Sequence, residues 1–556
     1  MDGVLFKPHA YTKASEVIND FQEDLDIIYQ KGGIKALEDI PGVGISIAEK
    51  IEEFLKSGKV KYLEYLKKKW PIKIEEFLNI EGLGPKTIRH LYEALKIKNL
   101  KDLEDCLKNN KISKLEGFGE KSQEKILKSI EFFKKSGGRM VLGFVMPEIR
   151  IIKEKFEKIK DVERVDVAGS VRRRKETIGD IDILVISKNS KPIMDFFTSM
   201  PETESVLVYG KTKSSVRLKN GLDADIRVVP KESYGAALNY FTGSKDHGIA
   251  LRELAIKKGW KLNEYGLFEG DKQIAGKTEN DLYEKLGMHY IEPELREMGG
   301  EIEASQKNKL PKLIGYSDLK GDLQVQTNWS DGVNSVEEMA RAAFKRGLKY
   351  IVVTDHTKHL TIAHGLDEKK IKQQWKEIDL VNKKMEKEGL DFKVLKGTEC
   401  DILKDGSLDL PDNILFQLDV VGASIHSSFN LSEEEQTERM IKAMNNKNVD
   451  IIFHPTGRII NQREPYKLDI NKIIETAKKT GTILEINSFP NRLDLKDEYI
   501  RKCIDAGVKM SIDSDGHLAS HFDYLEYGIA QARRGWCQKK DIINAWPFEK
   551  MLKMLK

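Results

Sequence analysis

The segment Val167–Ile186 constrains the fold of this chain more than any other stretch. It reads VAGSVRRRKETIGDIDILVI. The run that follows Asp182 and ends at Ile186 is short, apolar and rich in β-branched residues, which predicts a buried β-strand. Because side chains alternate between the two faces of a strand, Asp180 and Asp182 should project to the same side. Two neighbouring carboxylates repel each other unless a cation lies between them, and oxygen ligands suit Mg²⁺ or Mn²⁺.

Two further features of this segment indicate a substrate that carries phosphate. The turn at Gly169 and Ser170 can bring a backbone N–H and a hydroxyl to a phosphate. The basic cluster Arg172–Lys175 can neutralise a triphosphate. An Asp-x-Asp pair alone would be an ordinary acidic pair at a strand end. Combined with the turn and the arginines, it predicts nucleotidyl transfer assisted by two metal ions.

The segment resembles the nucleotidyltransferase signature of family X DNA polymerases, Gly-Ser-x-x-Arg followed by Gly-Asp-x-Asp. The resemblance implies an α/β palm in which both aspartates bind both metal ions and the other residues contact the nucleotide. Arg139 occupies the position of a further arginine that contacts the triphosphate in that family. The residues that match the signature are Gly169, Ser170, Arg173, Gly179, Asp180 and Asp182.

A third carboxylate is expected in the predicted strand Leu222–Pro230. Asp223 and Asp225 lie on one face of that strand, so periodicity leaves the choice between them open. The order Asp-apolar-Arg-apolar matches the family at Asp225. The resemblance therefore makes Asp225 a metal ligand and the general base toward the primer 3′-hydroxyl.

The following segment resembles the thumb of the same family, in which an aromatic pair lies against the sugar and base of the incoming nucleotide. Taken alone, that pair would be read as core residues, but its place in the chain favours a nucleotide contact. An arginine that contacts the template strand also has a match, whereas Gly248 stands where many relatives have an asparagine. The matching residues are Tyr240, Phe241, Gly243 and Arg252.

A Gly-apolar-Gly turn opens a predicted helix three times in the N-terminal part of the chain, at Ile40–Gly44, Ile80–Gly84 and Leu115–Gly119. Such turns let the backbone approach a phosphate, and the helix N-terminus adds exposed N–H groups. The repeats resemble helix-hairpin-helix motifs, which hold the DNA backbone without reading sequence. The resemblance implies K⁺ or Na⁺ bound by backbone carbonyls at Ile40, Val43, Ile80 and Leu83.

Lys50 follows the first of these turns. It matches the lysine that acts as the nucleophile of a deoxyribose-phosphate lyase in some members of the family, through a Schiff base. The second lysine of that pocket is Ser46 here. Two readings of Lys50 stay open, a lyase nucleophile and a solvated or phosphate-contacting residue.

Residues 316–556 alternate apolar strands with amphipathic helices, which predicts a parallel barrel with functional residues at the C-terminal ends of the strands. The pattern resembles the PHP (polymerase and histidinol phosphatase) domain that is fused to bacterial and archaeal family X polymerases. The resemblance implies a cluster of three divalent ions (Mn²⁺, Zn²⁺ or Fe²⁺) that hydrolyses phosphodiesters. The expected ligands present in this chain are Asp331, His356, Glu399, His426, His454, Asp515 and His517.

Two expected histidines of this domain are replaced by Gln324 and Gln326. An amide oxygen is a weaker ligand than imidazole for transition metals, although it can serve Mg²⁺ or Mn²⁺. We expect the loss to affect mainly one metal of the cluster. The outcomes left open are a weakened or altered nuclease, full activity through the remaining metals, and an inactive domain that serves as a scaffold.

The predicted fold is multidomain: all-α N-terminal helix-hairpin-helix domains, an α/β nucleotidyltransferase palm and thumb, and a C-terminal (β/α) barrel of the PHP type. A chain of 556 residues is too long for one domain. The predicted units are a lyase-like helical domain (1–58), fingers (59–138), palm (139–230), thumb (231–297), linker (298–315) and PHP domain (316–556).

The net charge of +4 confines any DNA-binding surface to local patches, and the four scattered cysteines suggest neither a zinc site nor a disulfide framework. Without an evident signal or membrane-spanning segment, a cytoplasmic monomer is expected. We predict a DNA-directed DNA polymerase that binds gapped or primer-template DNA and dNTPs, fills short gaps in base excision repair, and carries a 3′–5′ exonuclease. The alternatives are a DNA phosphoesterase and a repair scaffold in which one half only binds DNA.

Overall fold

The computed structural model describes residues 25–40, 42–77, 80, 83–135 and 138–555, together with Tyr11, Ala14 and Ile18. Pro41, Glu81 and Gly82 of the predicted turns lie outside these residues. The chain forms two compact units, residues 1–131 and 132–556, which we describe separately. Among the described residues, no helix is long and apolar enough to cross a membrane.

The first unit is helical, as predicted. All three glycine turns contain the same hydrogen bond, from the amide of the second apolar residue to the carbonyl of the residue three positions earlier. The N···O distance is 3.0 Å for Val43 to Ile40, 3.2 Å for Leu83 to Ile80 and 3.0 Å for Phe118 to Leu115. The α-helices are Leu25–Glu38, Ile45–Ser57, Lys61–Lys69, Pro85–Leu95, Leu100–Lys108 and Glu120–Lys135.

The second unit begins with the predicted palm. Five strands form one sheet in the order β2-β4-β7-β6-β5, in which β4 and β7 are parallel and the other neighbours antiparallel; β1 and β3 form a separate pair. The apolar residues of β4 are buried between the layers, as their β-branched pattern predicted. The strands are β1 (Met140–Val141), β2 (Val162–Val167), β3 (Thr177–Ile178), β4 (Asp180–Ser187), β5 (Thr203–Tyr209), β6 (Lys213–Leu218) and β7 (Asp223–Val229).

Helices cover this sheet and build the predicted thumb beside it. A three-stranded antiparallel sheet of β8 (Lys261–Asn263), β9 (Gly266–Glu269) and β10 (Lys272–Ala275) belongs to the thumb. The α-helices of this part are Leu142–Glu157, Gly169–Arg172, Lys191–Ser199, Tyr234–Thr242, Lys245–Lys257, Glu279–Leu286 and Glu301–Gln306.

The stretch 298–315, predicted as a linker, is packed against the rest of this unit. It contains the helix Glu301–Gln306, in which Glu301 is fully buried and accepts a hydrogen bond from His247 Nδ1 at 2.8 Å. Ile302 and Ile314 are also buried. The polar composition misled the prediction, because Glu301, one of the charged residues of this stretch, is paired with the buried His247.

The C-terminal part is the predicted barrel. Its seven strands are parallel and follow each other in chain order, and bonds between β11 and the loop after β17 nearly close the ring, with Gln326 N donating to Gly516 O at 2.9 Å. The strands are β11 (Gly321–Val325), β12 (Tyr350–Val353), β13 (Lys393–Asp401), β14 (Val420–Ser424), β15 (Ile451–Ile452), β16 (Ile483–Asn487) and β17 (Met510–Asp513).

Helices surround this barrel and close its apolar core. Buried isoleucine, valine and methionine side chains of the helices pack on the outward faces of the strands. The α-helices are Val336–Lys345, Glu368–Lys387, Asp412–Leu415, Glu433–Met444, Ile470–Thr480, Asp497–Ala506, Leu525–Arg534 and Phe548–Leu552. The fold class predicted from the sequence is therefore confirmed.

Candidate active sites

The parallel pairing of β4 with β7 brings the predicted carboxylates together. Asp180 lies opposite Asp223, and Asp182 lies opposite Asp225. Burial raises the pKa of Asp182 to about 7, and the negative charges of Asp180 and Asp225 add to the effect. A divalent cation among these oxygens would remove that repulsion, so the donor set fits a hard metal ion.

Ion-pair partners on the neighbouring strand β6 distinguish Asp223 from Asp225. Asp223 forms a bidentate ion pair with Arg217 on the neighbouring strand. Asp225 instead lies beside Asp182, and its Oδ2 is 3.4 Å from Lys213 Nζ. The geometry therefore supports Asp225 as the third carboxylate, which periodicity could not decide.

The turn before β4 fits tightly over the carboxylates. Gly169 has a φ of +61°, and a Cβ at this position would lie 2.4 Å from Asp182 Oδ2. Only glycine suits both the backbone conformation and the close approach. The Ser170 hydroxyl is buried and has no hydrogen-bond partner among the described residues. An unpartnered buried hydroxyl at this point fits a phosphate oxygen of a bound nucleotide.

A cavity of about 510 Å³ adjoins the carboxylates and reaches the predicted thumb. Asn239 and Lys245 line it as well and were not predicted. Gly179 does not line it, but lies directly behind Arg139, whose Nη1 would be 3.1 Å from a Cβ there. The predicted nucleotide contacts that line the cavity are Arg139, Gly169, Ser170, Arg173, Tyr240, Phe241, Gly243 and Arg252.

The arginines of this cavity are held in place by neighbouring groups. Arg139 donates from Nη2 to the carbonyl of Thr177 at 2.6 Å and from Nε to its hydroxyl at 3.2 Å. Arg173 donates from Nε to Glu297 at 3.0 Å and from Nη1 to the carbonyl of Thr242. The guanidinium groups are thus preorganised for an anionic ligand before it binds.

The aromatic pair forms one wall of the cavity. The rings of Tyr240 and Phe241 are 5.1 Å apart in an edge-to-face arrangement. Arg227 stacks over Phe241 at 4.4 Å, and Arg252 lies 6.0 Å from the Tyr240 ring. Tyr240 remains 45% exposed, so its ring is available to a sugar or base.

In the first unit, the side chains of Ile40, Val43, Ile80 and Leu83 are buried, and the carbonyls of Ile40 and Ile80 each accept the turn hydrogen bond. Lys50 lies in the helix Ile45–Ser57, and its Nζ donates to the carbonyl of Ser46 at 2.6 Å and to its hydroxyl at 2.9 Å. The ion-binding and lyase assignments stay predictions.

A second cavity, of about 290 Å³, opens at the C-terminal ends of the barrel strands. Arg492 also lines it. The position agrees with the rule that parallel barrels place functional groups at this end. All seven predicted metal ligands line it: Asp331, His356, Glu399, His426, His454, Asp515 and His517.

Two groups of three residues each bring their potential ligand atoms within 4.8 Å of one another, and both groups include His356. The first group is Asp331, His356 and His517, and the second is His356, Glu399 and His426. Glu399 is central, because its Oε1 is 2.8 Å from His454 Nε2 and 3.0 Å from His426 Nε2. Mixed imidazole and carboxylate ligands fit Mn²⁺, Zn²⁺ or Fe²⁺.

Electrostatics in this cavity favour cations. Burial opposes the charge of Glu399, but His356, His426 and His454 outweigh it and hold its pKa well below the ordinary value. Burial likewise opposes protonation of His426 and His517, yet neighbouring carboxylates raise the pKa of each to about 9. A metal ion must displace these protons, so binding should release them.

Gln324 and Gln326 are fully buried and do not line this cavity, but their side chains contact its ligands directly or through Asn487. Gln326 Nε2 donates to Glu399 Oε2 at 2.8 Å, and Gln324 Oε1 accepts from Asn487 Nδ2 at 3.2 Å. Asn487 Nδ2 also lies 3.2 Å from Asp515 Oδ2. The amides thus engage the carboxylates on one side of the cluster, and neither group of three ligands includes them.

Sequence reasoning missed Arg492 and Asn487 at this site. Arg492 Nε lies 3.3 Å from Asp515 Oδ2. Asn487 is the last residue of β16. The signal that could have found both is the segment NSFPNRLDL, which begins at the last residue of β16 and contains several polar residues and an arginine before the next helix.

Comparison with known protein families covers most of the chain. A model of the SAM-like helix-hairpin-helix tandem matches residues 74–131, and a model of the DNA polymerase beta palm matches residues 146–217. A model of the DNA polymerase beta thumb matches residues 237–297, and a model of the PHP domain matches residues 322–545.

Individual relatives match different shares of the chain. The DNA polymerase/3′–5′ exonuclease PolX of Bacillus subtilis (strain 168) is 37% identical over 97% of this chain and 93% of its own length. A probable phosphatase of Thermoanaerobacter sp. (strain X514) is 35% identical over 38% of this chain and 84% of its own length. DNA polymerase lambda of Rattus norvegicus is 27% identical over 53% of each chain.

Proposed function

This chain belongs to the family X DNA polymerases that carry a C-terminal PHP domain, and we propose that it fills short gaps in DNA during repair. The observation that carries the proposal is the convergence of three carboxylates on one sheet face beside a cavity lined by arginines and an aromatic pair. This set matches what transfer of a nucleotide from a triphosphate requires.

The residues of the palm would bind the metal ions, bind the triphosphate and accept a proton. Asp180, Asp182 and Asp225 would hold two Mg²⁺ or Mn²⁺ ions, which supply charge stabilisation at the attacking and leaving oxygens. Arg139 and Arg173 bind the triphosphate, and the Ser170 hydroxyl donates to one of its oxygens. Asp225 accepts the proton of the primer 3′-hydroxyl as that oxygen attacks the α-phosphorus and pyrophosphate leaves.

The other parts of the chain would position the DNA and the nucleotide. Tyr240 and Phe241 pack against the sugar and base of the incoming nucleotide. The three glycine turns of the N-terminal unit hold the DNA backbone through amide groups, and the turns at Ile40 and Ile80 would add a K⁺ or Na⁺ ion.

The test is single-nucleotide incorporation into a 5′-labelled primer on a one-nucleotide gap, with Mg²⁺ or Mn²⁺. Asp225→Asn should abolish extension and leave DNA binding unchanged. Asp223→Asn is the matched control, because Asp223 lies on the same strand face but is paired with Arg217. If Asp225→Asn still extends the primer while Asp223→Asn does not, the carboxylate assignment is wrong.

We propose a second activity, 3′–5′ removal of nucleotides, at the barrel cavity. Its support is the seven ligands around one cavity and the two groups of three ligand atoms near Glu399. Omitting dNTPs from the same assay tests it, since shortening of the primer would then reveal the nuclease. His426→Ala should abolish shortening and leave extension intact. An unshortened primer with wild-type protein and Mn²⁺ would leave the barrel as a scaffold.

A further inference from the structure

The barrel supplies part of the hydrophobic core of the palm. Ile460, Leu493 and Tyr527 of the barrel are buried in the same cluster as the palm helix Leu142–Glu157 and the inner face of β4. At Gly143 the two parts are so close that a Cβ would lie 2.7 Å from Pro490 Cβ. Such packing argues for one continuous body between the nucleotide cavity and the barrel.

One barrel loop, residues 453–463, extends from the second cavity to the first. It begins at β15 with His454, which contacts Glu399 in the barrel cavity. Near its other end, Asn461 Nδ2 donates to the backbone carbonyl of Arg139 at 2.7 Å. Asn461 is 5% exposed and has a φ of +61°, so its side chain is fixed at this contact.

The same loop also fixes the segment that accepts hydrogen bonds from the guanidinium of Arg139. Arg458 makes a bidentate ion pair with Glu176, with distances of 2.8 Å and 3.3 Å. Glu176 immediately precedes Thr177, whose carbonyl and hydroxyl accept hydrogen bonds from the Arg139 guanidinium. The loop therefore fixes the backbone of Arg139 directly and its side chain through Thr177.

We propose that the C-terminal barrel is a structural part of the nucleotide cavity, in which Asn461 and Arg458 act as positioning residues for Arg139. The inference rests on the proposed polymerase function, because it takes Arg139 as a contact of the triphosphate. Preorganisation matters here, since a small displacement of a group that orients the substrate can cost one to two orders of magnitude in rate.

The test uses the full chain and steady-state incorporation into a one-nucleotide gap at varied dNTP. Asn461→Gly removes the contact and keeps the left-handed backbone. We expect the KM for dNTP to rise roughly tenfold, with kcat and DNA affinity within about twofold of wild type. Asn461→Asp, which keeps the shape but loses the donor, should raise KM in the same way.

Asn308→Gly is the matched control, because Asn308 is exposed, has a φ of +55° and lies away from this contact. A double variant with Arg139→Ala separates positioning from general loosening. If Asn461 acts through Arg139, adding Asn461→Gly to Arg139→Ala should change KM no further.

An unchanged KM in Asn461→Gly, or a further rise in the double variant, would overturn the inference while the wild type still incorporates nucleotide. No incorporation by the wild type would refute the proposed function and this inference with it. The two failures are therefore distinguishable in one experiment.

Discussion

Glu279→Gln should loosen the junction between the palm and the thumb. Glu279 is 7% exposed and opens the helix Glu279–Leu286. Its carboxylate accepts hydrogen bonds from Arg172 at 2.5 Å and 3.0 Å and from Arg296 at 2.6 Å, and Arg296 is fully buried. The amide of glutamine keeps the shape but leaves both guanidinium groups without a counter-charge.

The size of the effect follows from the pKa of this carboxyl. Burial opposes its charge, but Arg296 and Arg172 outweigh the burial and lower the pKa of Glu279 from 4.5 to about 2. At about 1.4 kcal/mol for each pKa unit, the ionised carboxylate contributes about 3 kcal/mol to folding. Loss of one partner of a buried ion pair costs a similar amount, about 3 to 5 kcal/mol.

The sign of the pH dependence is fixed by the lowered pKa. The contribution of the Glu279 carboxylate to the free energy of unfolding is complete above the unfolded-state pKa near 4.5, and it is lost as the pH falls toward 2. The difference in opening free energy between wild type and Glu279→Gln should therefore be about 3 kcal/mol at pH 7 and less than half of that at pH 3.

Hydrogen–deuterium exchange of the peptide that covers residues 279–286 measures this locally, after correction for the intrinsic pH dependence. We expect exchange about a hundredfold faster in the variant at pH 7. Glu284→Gln is the control, because Glu284 lies exposed on the same helix. Equal exchange in the two variants at pH 7, or an effect of the same size at pH 3, would refute the reasoning.

Three further predictions concern the two cavities. Gly169→Ala should abolish primer extension with DNA binding retained, because its Cβ would lie 2.4 Å from Asp182 Oδ2; gap filling and a DNA-binding titration check this. The raised pKa of Asp182, about 7, means that the metal-free protein loses stability as the pH rises from about 4 to about 7. Asp182→Asn should therefore stabilise the metal-free protein at pH 8, by up to about 4 kcal/mol, as followed by thermal unfolding in EDTA. Gln326→His should add about one tightly bound divalent ion for each chain, measured by elemental analysis after gel filtration, and unchanged metal content would contradict the assignment of Gln326 to a weakened metal position.

Local sequence signals predicted the elements whose ends are set by local chemistry. The helix Pro85–Leu95 begins directly after the predicted turn that ends at Gly84, because a proline at the first position favours a helix start. The strand β4 was predicted from its apolar run, and the glycine turn before it from Gly169. The assignment of residues to the two catalytic centres stays a prediction until variants are measured.

Tertiary partners decided what local signals could not. Strand β11 has no continuous apolar run, because its sequence GDLQV contains an aspartate and a glutamine, yet every residue in it is buried. Asp322 in this strand accepts hydrogen bonds from the amides of Gln324 and Ser514, the latter 192 positions away. The pairing of Asp223 with Arg217, a residue of the neighbouring strand, likewise could not be predicted from the local pattern.

The two glutamines of the barrel cavity change ligand strength without changing charge. Glutamine and neutral histidine are both uncharged, so the carboxylates of Asp331, Glu399 and Asp515 require the same compensating charge in either case. The buried Glu399, whose pKa is held well below its ordinary value, still favours cations. The two glutamines reduce the number of strong imidazole ligands on their side of the cavity. On that side the amide of Gln326 donates to Glu399, and the amide of Asn487 donates to Asp515. The requirement for divalent ions therefore persists, and the number of ions bound tightly is the property in which the glutamines should set this chain apart.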